Sequence, residues 1–189
     1  MQLFLIRHPR PVGVAGICYG RLDVAAEDPQ AATERLRSLI PPATPLLASP
    51  LKRARELARA LHAQAIIDDR LREIDFGEWE GCSWESIDRR QIDAWAADVL
   101  HFVPPGGESV AMLQRRVIDC LTSLTGPRFA LVTHAGPIRA ALGYWLHWPI
   151  DEWSRVVVDY GSVTLLEIDP STERPGRQPG HATLHFLNR

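Results

Sequence analysis

The stretch Gln2-Leu3-Phe4-Leu5-Ile6-Arg7-His8-Pro9 opens on a short apolar run and closes on a guanidinium, an imidazole and a proline. A short run of consecutive apolar residues predicts a strand buried on both faces, as in a parallel sheet. A second such run, Phe129-Ala130-Leu131-Val132-Thr133, ends at His134. Pro45 to Ala48 and Ala65 to Ile67 are further strand candidates, one on each side of a helical pattern from Leu51 to His62. Other helical patterns run from Pro29 to Ile40, Trp84 to Val99, Ser109 to Leu124 and Pro137 to Leu146. In the fourth of the five, Val110, Leu113, Val117, Leu121 and Leu124 recur at three- and four-residue steps and make one apolar stripe. This alternation predicts an α/β fold, a three-layer αβα sandwich with a mostly parallel central sheet. Val163 to Ile168 and Thr183 to Leu187, joined by a Pro/Gly-rich loop over about 169–180, predict an antiparallel C-terminal edge hairpin, with the loop flexible.

At 189 residues and 46% apolar content, the chain has the size of one compact domain, and no composition shift marks a boundary. Residues 1–189 therefore read as a single domain, with a short helical cap segment at about 82–108. A formal net charge of −2 and the lack of a basic run argue against nucleic acid or an acidic membrane surface as partner. No stretch approaches the ~18 apolar residues of a membrane span, and the chain opens directly on a strand-like segment. Cys18, Cys82 and Cys120 are odd in number and lack metal-ligand spacing, which fits free thiols in a reducing compartment. The expected location is the cytoplasm.

In open α/β sheets the ligand crevice lies beyond the carboxyl ends of the strands. Two predicted strands end there in Arg7-His8 and in His134, so two imidazoles and a guanidinium can meet. Successive strand residues point to opposite faces, so Arg7 and His8 share a pocket only if the chain leaves the strand at His8. Pro9 provides for that exit, since proline restricts the residue before it and cannot donate to a central ladder. The following loop, Pro9 to Ala26, is long and holds Arg10, Tyr19 and Arg21. Ser49-Pro50-Leu51-Lys52-Arg53-Ala54 opens a helix with Ser49 as expected N-cap, Pro50 at N1 and Arg53 on the first turn, where it can face an anion. The segment Leu71 to Gly81 mixes acids with aromatics; Glu73, Asp75, Glu78 and Glu80 are all candidate proton donors, and spacing does not choose among them. Pro104-Pro105-Gly106-Gly107-Glu108-Ser109 is not a nucleotide phosphate loop, since the Gly-Lys-Ser/Thr ending is absent. Trp79, Trp84 and Trp95 fit a pocket mouth or, more commonly for any one of them, packed core.

Taken in order, Leu5-Ile6-Arg7-His8, Ser49 to Ala54, Leu71-Arg72-Glu73 with Phe76-Gly77 and Glu80-Gly81, and Val132-Thr133-His134-Ala135-Gly136 resemble the histidine phosphatase superfamily, in its phosphoglycerate-mutase-like branch. The resemblance spans roughly residues 1–145. It implies a phosphomonoesterase that works through a phosphohistidine without metal or cofactor on a small-molecule phosphate monoester. By position it makes His8 the nucleophile, sets Arg7, Arg53 and His134 around the phosphoryl group, and selects Glu73 as proton donor. Ile17 to Asp23 and Pro104 to Ser109 resemble blocks of α-ribazole-5′-phosphate phosphatases, which implies that substrate and places Arg10, Tyr19, Arg21 and Glu108 among its contacts. The short segment between Glu73 and His134 favours a phosphatase over a mutase. Pro9 and Ala135 depart from the commoner family pattern, which has glycine at both places.

Overall fold

The computed structural model describes residues 1–169 and 181–189. Its strands are β1 (Gln2–Arg7), β2 (Leu46–Ala48), β3 (Ile66–Ile67), β4 (Arg128–Thr133), β5 (Val163–Ile168) and β6 (Ala182–Phe186). Its helices are α1 (Gln30–Leu39), α2 (Lys52–Leu61), α3 (Arg89–Ala97), α4 (Val110–Thr122), α5 (Ala135–Trp145) and α6 (Ile150–Trp153). The strands form one sheet in the order β3-β2-β4-β1-β5-β6. β1, β2, β3 and β4 run parallel, while β5 lies antiparallel to both β1 and β6. The α/β class, the mostly parallel sheet and the antiparallel edge hairpin are thus as predicted; of the loop expected over 169–180, residues 170–180 lie outside the described residues.

The apolar run of β1 works on both faces. Leu3 and Leu5 pack with Leu113, Val117, Ile138, Leu142 and Trp145 of α4 and α5. Phe4 and Ile6 pack on the opposite side with Leu36 of α1 and Ala54 and Leu57 of α2. Period-two alternation therefore feeds two helix layers from one strand. The register pairs Arg7 with Thr133, so β1 and β4 end side by side and the residues after them leave the sheet together.

Three local expectations are corrected. The helix read over Trp84 to Val99 is a 3₁₀ turn at Trp84–Ser86 followed by α3, and Asp88 restarts the chain by accepting from Arg90 N at 2.9 Å. α5 begins at Ala135 instead of Pro137; the proline sits inside the first turn, where a helix leaves its N–H groups unbonded anyway. Ser49 does not cap α2, because its hydroxyl meets the His134 ring; Leu51 holds the N-cap position, and Asp23 accepts from Lys52 N at 2.6 Å. Helix α6 is too short to show a periodic pattern in the sequence. Ser109 caps α4 as expected, accepting from Met112 N at 3.2 Å. No described helix is long and apolar enough to cross a membrane.

Candidate active site

His8 and His134 each follow the last residue of a central strand, and His8 N donates to Thr133 O at 3.1 Å, one rung beyond the ladder. The two rings lie 4.9 Å apart, and both side chains are buried. A 2.6 Å contact between His8 Nδ1 and the carbonyl oxygen of Pro9 fixes the tautomer: only an N–H satisfies a carbonyl, so Nδ1 carries the hydrogen and Nε2 the lone pair. Proline at position 9 supplies an acceptor like any residue, so the departure from glycine leaves this bond intact. His134 Nε2 lies 2.8 Å from Ser49 Oγ, whereas its Nδ1 is buried with no partner among the described residues.

The Arg53 guanidinium is 1% exposed and spans three partners. Nη2 donates to Gly20 O at 2.6 Å, Nη1 to Leu22 O at 2.9 Å, and Nε to His8 Nε2 at 3.2 Å. One N–H remains on each terminal nitrogen. Arg7 donates through Nη1 to Val158 O, lies 3.5 Å from the centre of the Tyr160 ring, and keeps a buried Nε without a partner. Unpartnered buried polar atoms are rare in native proteins, and among the described residues two of them, Arg7 Nε and His134 Nδ1, belong to the groups around His8.

The surroundings set the charges. Burial pushes the His8 pKa well below 6.5; the Arg53 cation adds to this, the Pro9 carbonyl opposes it, and Arg7 adds again. For His134, burial is again the first cause, followed by His8, Arg53, Arg116 and Arg7. Both imidazoles are therefore neutral at pH 7. Burial and the hydrogen bond to Tyr160 push the Tyr19 hydroxyl up to about 12, keeping it a neutral donor.

Glu73 faces the same cavity, a space of about 410 Å³ whose lining includes Arg7, His8, Tyr19, Glu73, Gly136 and Arg139. Its carboxylate accepts from Gly136 N at 3.1 Å and from Ile74 N at 3.1 Å. A Cβ on residue 136 would stand 2.2 Å from Glu73 Oε1, so glycine there makes room for the acid. The rest of the lining is largely apolar and includes Ile74, Phe76, Trp95, Val99, Val110 and Leu113.

The structure thus brings together Arg7, His8, Arg53, Glu73 and His134, with Tyr19 on the cavity wall. It does not place Arg21 or Glu108 on that wall. Glu108 accepts from Arg116 at 2.6 and 3.0 Å and from Asp75 N at 3.1 Å, while Arg21 pairs with Asp75 at 3.0 Å and Glu108 at 3.3 Å. A carboxylate with so little access to water is retained where cations neutralise it, which accounts for the network. Arg116 also donates to the carbonyls of Arg70, Arg72 and Glu73, so the cluster shapes the backbone that carries Glu73. Arg10 is largely exposed, 4.0 Å from Glu27 and 5.0 Å from the Tyr160 ring centre.

Residues 3–177 match the model of the histidine phosphatase superfamily, branch 1. The chain belongs to that superfamily. Among curated relatives, the chain is 32% identical over 133 residues to the bifunctional protein Rv2228c of Mycobacterium tuberculosis, a match covering 65% of this chain and 36% of that protein. It thus spans about a third of the length of that relative. It is 28% identical to the glucosyl-3-phosphoglycerate phosphatase of Mycolicibacterium vanbaalenii, over 95% of this chain and 88% of the relative. A solved Escherichia coli structure described as a "putative alpha-ribazole-5'-P phosphatase" shares the fold with a TM-score of 0.83 at 24% identity, covering 100% of this chain and 96% of the other.

Several site residues leave no signal in the sequence of this superfamily member. Tyr160 reaches the site because β5 is antiparallel to β1, so the entry to β5 lies beside the exit of β1; Gly161 N donates to His8 O at 3.0 Å. That juxtaposition depends on the sheet order, which local patterning does not give. Arg139 follows Gly136 by one helical position short of a turn, and a helix beginning at Ala135 would have placed it near the strand ends. The Ser49 partnership with His134 joins residues 85 positions apart and leaves no local trace.

Proposed function

We propose that this chain is a phosphoric monoester hydrolase in which Nε2 of His8 takes up the phosphoryl group. The observation that carries the reading is the His8 tautomer: a neutral imidazole with its Nδ1–H tied to Pro9 O and its Nε2 lone pair turned toward Arg53, among unspent guanidinium hydrogens. Attack by Nε2 forms an N–P bond and breaks the ester P–O bond. Glu73 hands its proton to the departing oxygen, and its carboxylate then takes one from the water that attacks phosphorus, breaks the N–P bond and restores neutral His8. As phosphate enters, the Arg53 Nε–H passes from His8 to a non-bridging oxygen. Arg7 and Arg53 hold the charge that spreads over those oxygens, and His134, neutral beforehand, donates from whichever nitrogen faces them. No step uses Arg21 or Glu108, which are already paired.

For the substrate we propose α-ribazole 5′-phosphate. Support comes from the resemblance of Ile17 to Asp23 and Pro104 to Ser109 to phosphatases of that compound, and from the apolar lining of the cavity, which suits a flat benzimidazole better than a hydroxyl-rich sugar. Arg139 favours a second reading. Its Nε donates to Val156 O at 2.8 Å while the side chain lines the cavity beside Glu73, a cation on the leaving-group side that fits sugar or nucleotide phosphates bearing a further anion. Comparing kcat/KM on α-ribazole 5′-phosphate with nucleotide and sugar phosphates tests both: a clear preference for the first supports the proposed substrate, and a flat profile or a preference for the anionic esters overturns it. Free thiols at Cys18, Cys82 and Cys120 are consistent with the cytoplasm as its location.

A further inference from the structure

Of the four acids that spacing leaves unranked, three are accounted for. Glu73 faces the cavity, Asp75 accepts from Gly77 N at 2.9 Å and pairs with Arg21, and Glu78 is exposed. Glu80 is used by no step above, yet its carboxylate is the most heavily bonded of the four. Oε1 accepts from Arg21 N at 2.8 Å, from Gly20 N at 3.1 Å and from Phe76 N at 3.1 Å. Oε2 accepts from Leu22 N at 2.7 Å and from Gly20 N at 3.0 Å. Three consecutive backbone N–H groups thus converge on one carboxylate, the arrangement by which a turn wraps an anion.

Turning those N–H groups inward leaves carbonyls of the same turn to face the other way. Gly20 O and Leu22 O are the two that accept from Arg53 Nη2 and Nη1, and with its terminal nitrogens so held the guanidinium presents Nε to His8. Gly20 is itself required for the close approach, since a Cβ there would stand 1.9 Å from Ile74 O and 2.9 Å from Glu80 Oε1. Backbone bonds pin the loop as far as Cys18, whose N donates to Cys82 O and whose O accepts from Gly81 N at 2.8 Å each, and Glu80 supplies the acceptors that fold residues 20–22 beyond it.

We infer that Glu80 is a positioning residue for Arg53: its carboxylate folds the 20–22 turn whose carbonyls aim the guanidinium at His8. The inference rests on the reading that Arg53 serves the phosphoryl group. His8 is faced by Arg7, Arg53, His134 and Tyr160, with Tyr19 and Glu73 across the cavity, so displacing Arg53 removes one of the cations that keep His8 unprotonated. The His8 pKa then rises, and protonation silences the nucleophile at a higher pH than before.

The test compares wild type with Glu80→Gln, Glu80→Asp and Arg53→Ala on p-nitrophenyl phosphate, reading kcat/KM against pH, inhibition by inorganic phosphate, and Tm. Glu80→Gln, which sets an amide N–H against backbone donors, is expected to lose about 10- to 100-fold in kcat/KM, the scale of a misplaced catalytic group. Phosphate inhibition weakens with it, and the acid limb of kcat/KM moves to higher pH. Glu80→Asp shows a smaller loss with the limb shifted the same way, and serves if Glu80→Gln does not fold. In an Arg53→Ala background, Glu80→Gln should cost little more, because the two act through one contact. A merely structural Glu80 would lower Tm and the active fraction while leaving the limb and the phosphate inhibition constant unmoved, and that result overturns the inference, as do fully additive losses. If Arg53→Ala itself retains wild-type activity, the fault lies in the phosphoryl-binding role given to Arg53 under the proposed function.

Discussion

The polar and the apolar lining of the cavity are built differently. Around the phosphoryl site each group is fixed by directed bonds to backbone, His8 to the adjacent Pro9 and the others to distant parts of the chain: Arg53 to Gly20 and Leu22, Arg7 to Val158, Glu73 to Gly136. Ile74, Phe76, Trp95, Val99, Val110 and Leu113 line the same cavity with apolar side chains that present shape alone. Hydrogen bonds define positions to fractions of an ångström, whereas apolar walls tolerate repacking. The chemistry should therefore be brittle and the choice of leaving group malleable.

The largest expected effect breaks the phosphoryl site outright. His8→Ala should remove phosphatase turnover by at least about a thousandfold while the fold survives, since losing a covalent nucleophile leaves only residual electrostatic catalysis. Near wild-type turnover in a folded variant would end the assignment. Next, Glu73→Gln should slow esters of poorly acidic alcohols by roughly 100-fold or more while sparing aryl phosphates, whose leaving groups need no proton. Equal losses across leaving groups would show that Glu73 is not the acid.

On the apolar lining the effect should be smaller and selective. Trp95→Ala is expected to cut kcat/KM about tenfold on a substrate with a flat aromatic body, from the lost burial. Methyl phosphate, which carries no aromatic body to bury, should change less than twofold. Similar losses on both would mean that the two linings are not independent.

The sequence showed the sheet centre and the reacting group of residues well, because both depend on short-range signals: a doubly buried apolar run, then a residue that must leave the strand. It misjudged contacts that close over long separations. Ser49 before Pro50 is ordinary helix-start grammar, yet its hydroxyl is claimed by His134. Arg21 and Glu108 stand in the right loops to meet a substrate, but Arg21 pairs with both Glu108 and Asp75, and Arg116, on α4 with nothing local to mark its partner, completes the cluster. The acids from Glu73 to Glu80 could not be ranked because their roles depend on which backbone N–H groups reach them, and only the folded loops decide that.

The smallest effect concerns stability. His8 and His134 have native pKa values well below 6.5, while the unfolded chain keeps the ordinary value. As pH falls through 6.5 the unfolded state binds protons that the native state does not, so stability declines toward acid. Urea unfolding at pH 7 and pH 5 should show the lower midpoint at pH 5. His134→Gln, if it folds, should flatten that dependence, and an unchanged slope would remove His134 from the account.

The most direct test of the central claim is rapid-quench labelling with a ³²P-phosphate monoester. With His8 as nucleophile, the label is covalent, sits on His8, is acid-labile and alkali-stable, and is absent from His8→Ala. An alkali-labile acyl phosphate, or a label that persists in His8→Ala, would contradict that assignment.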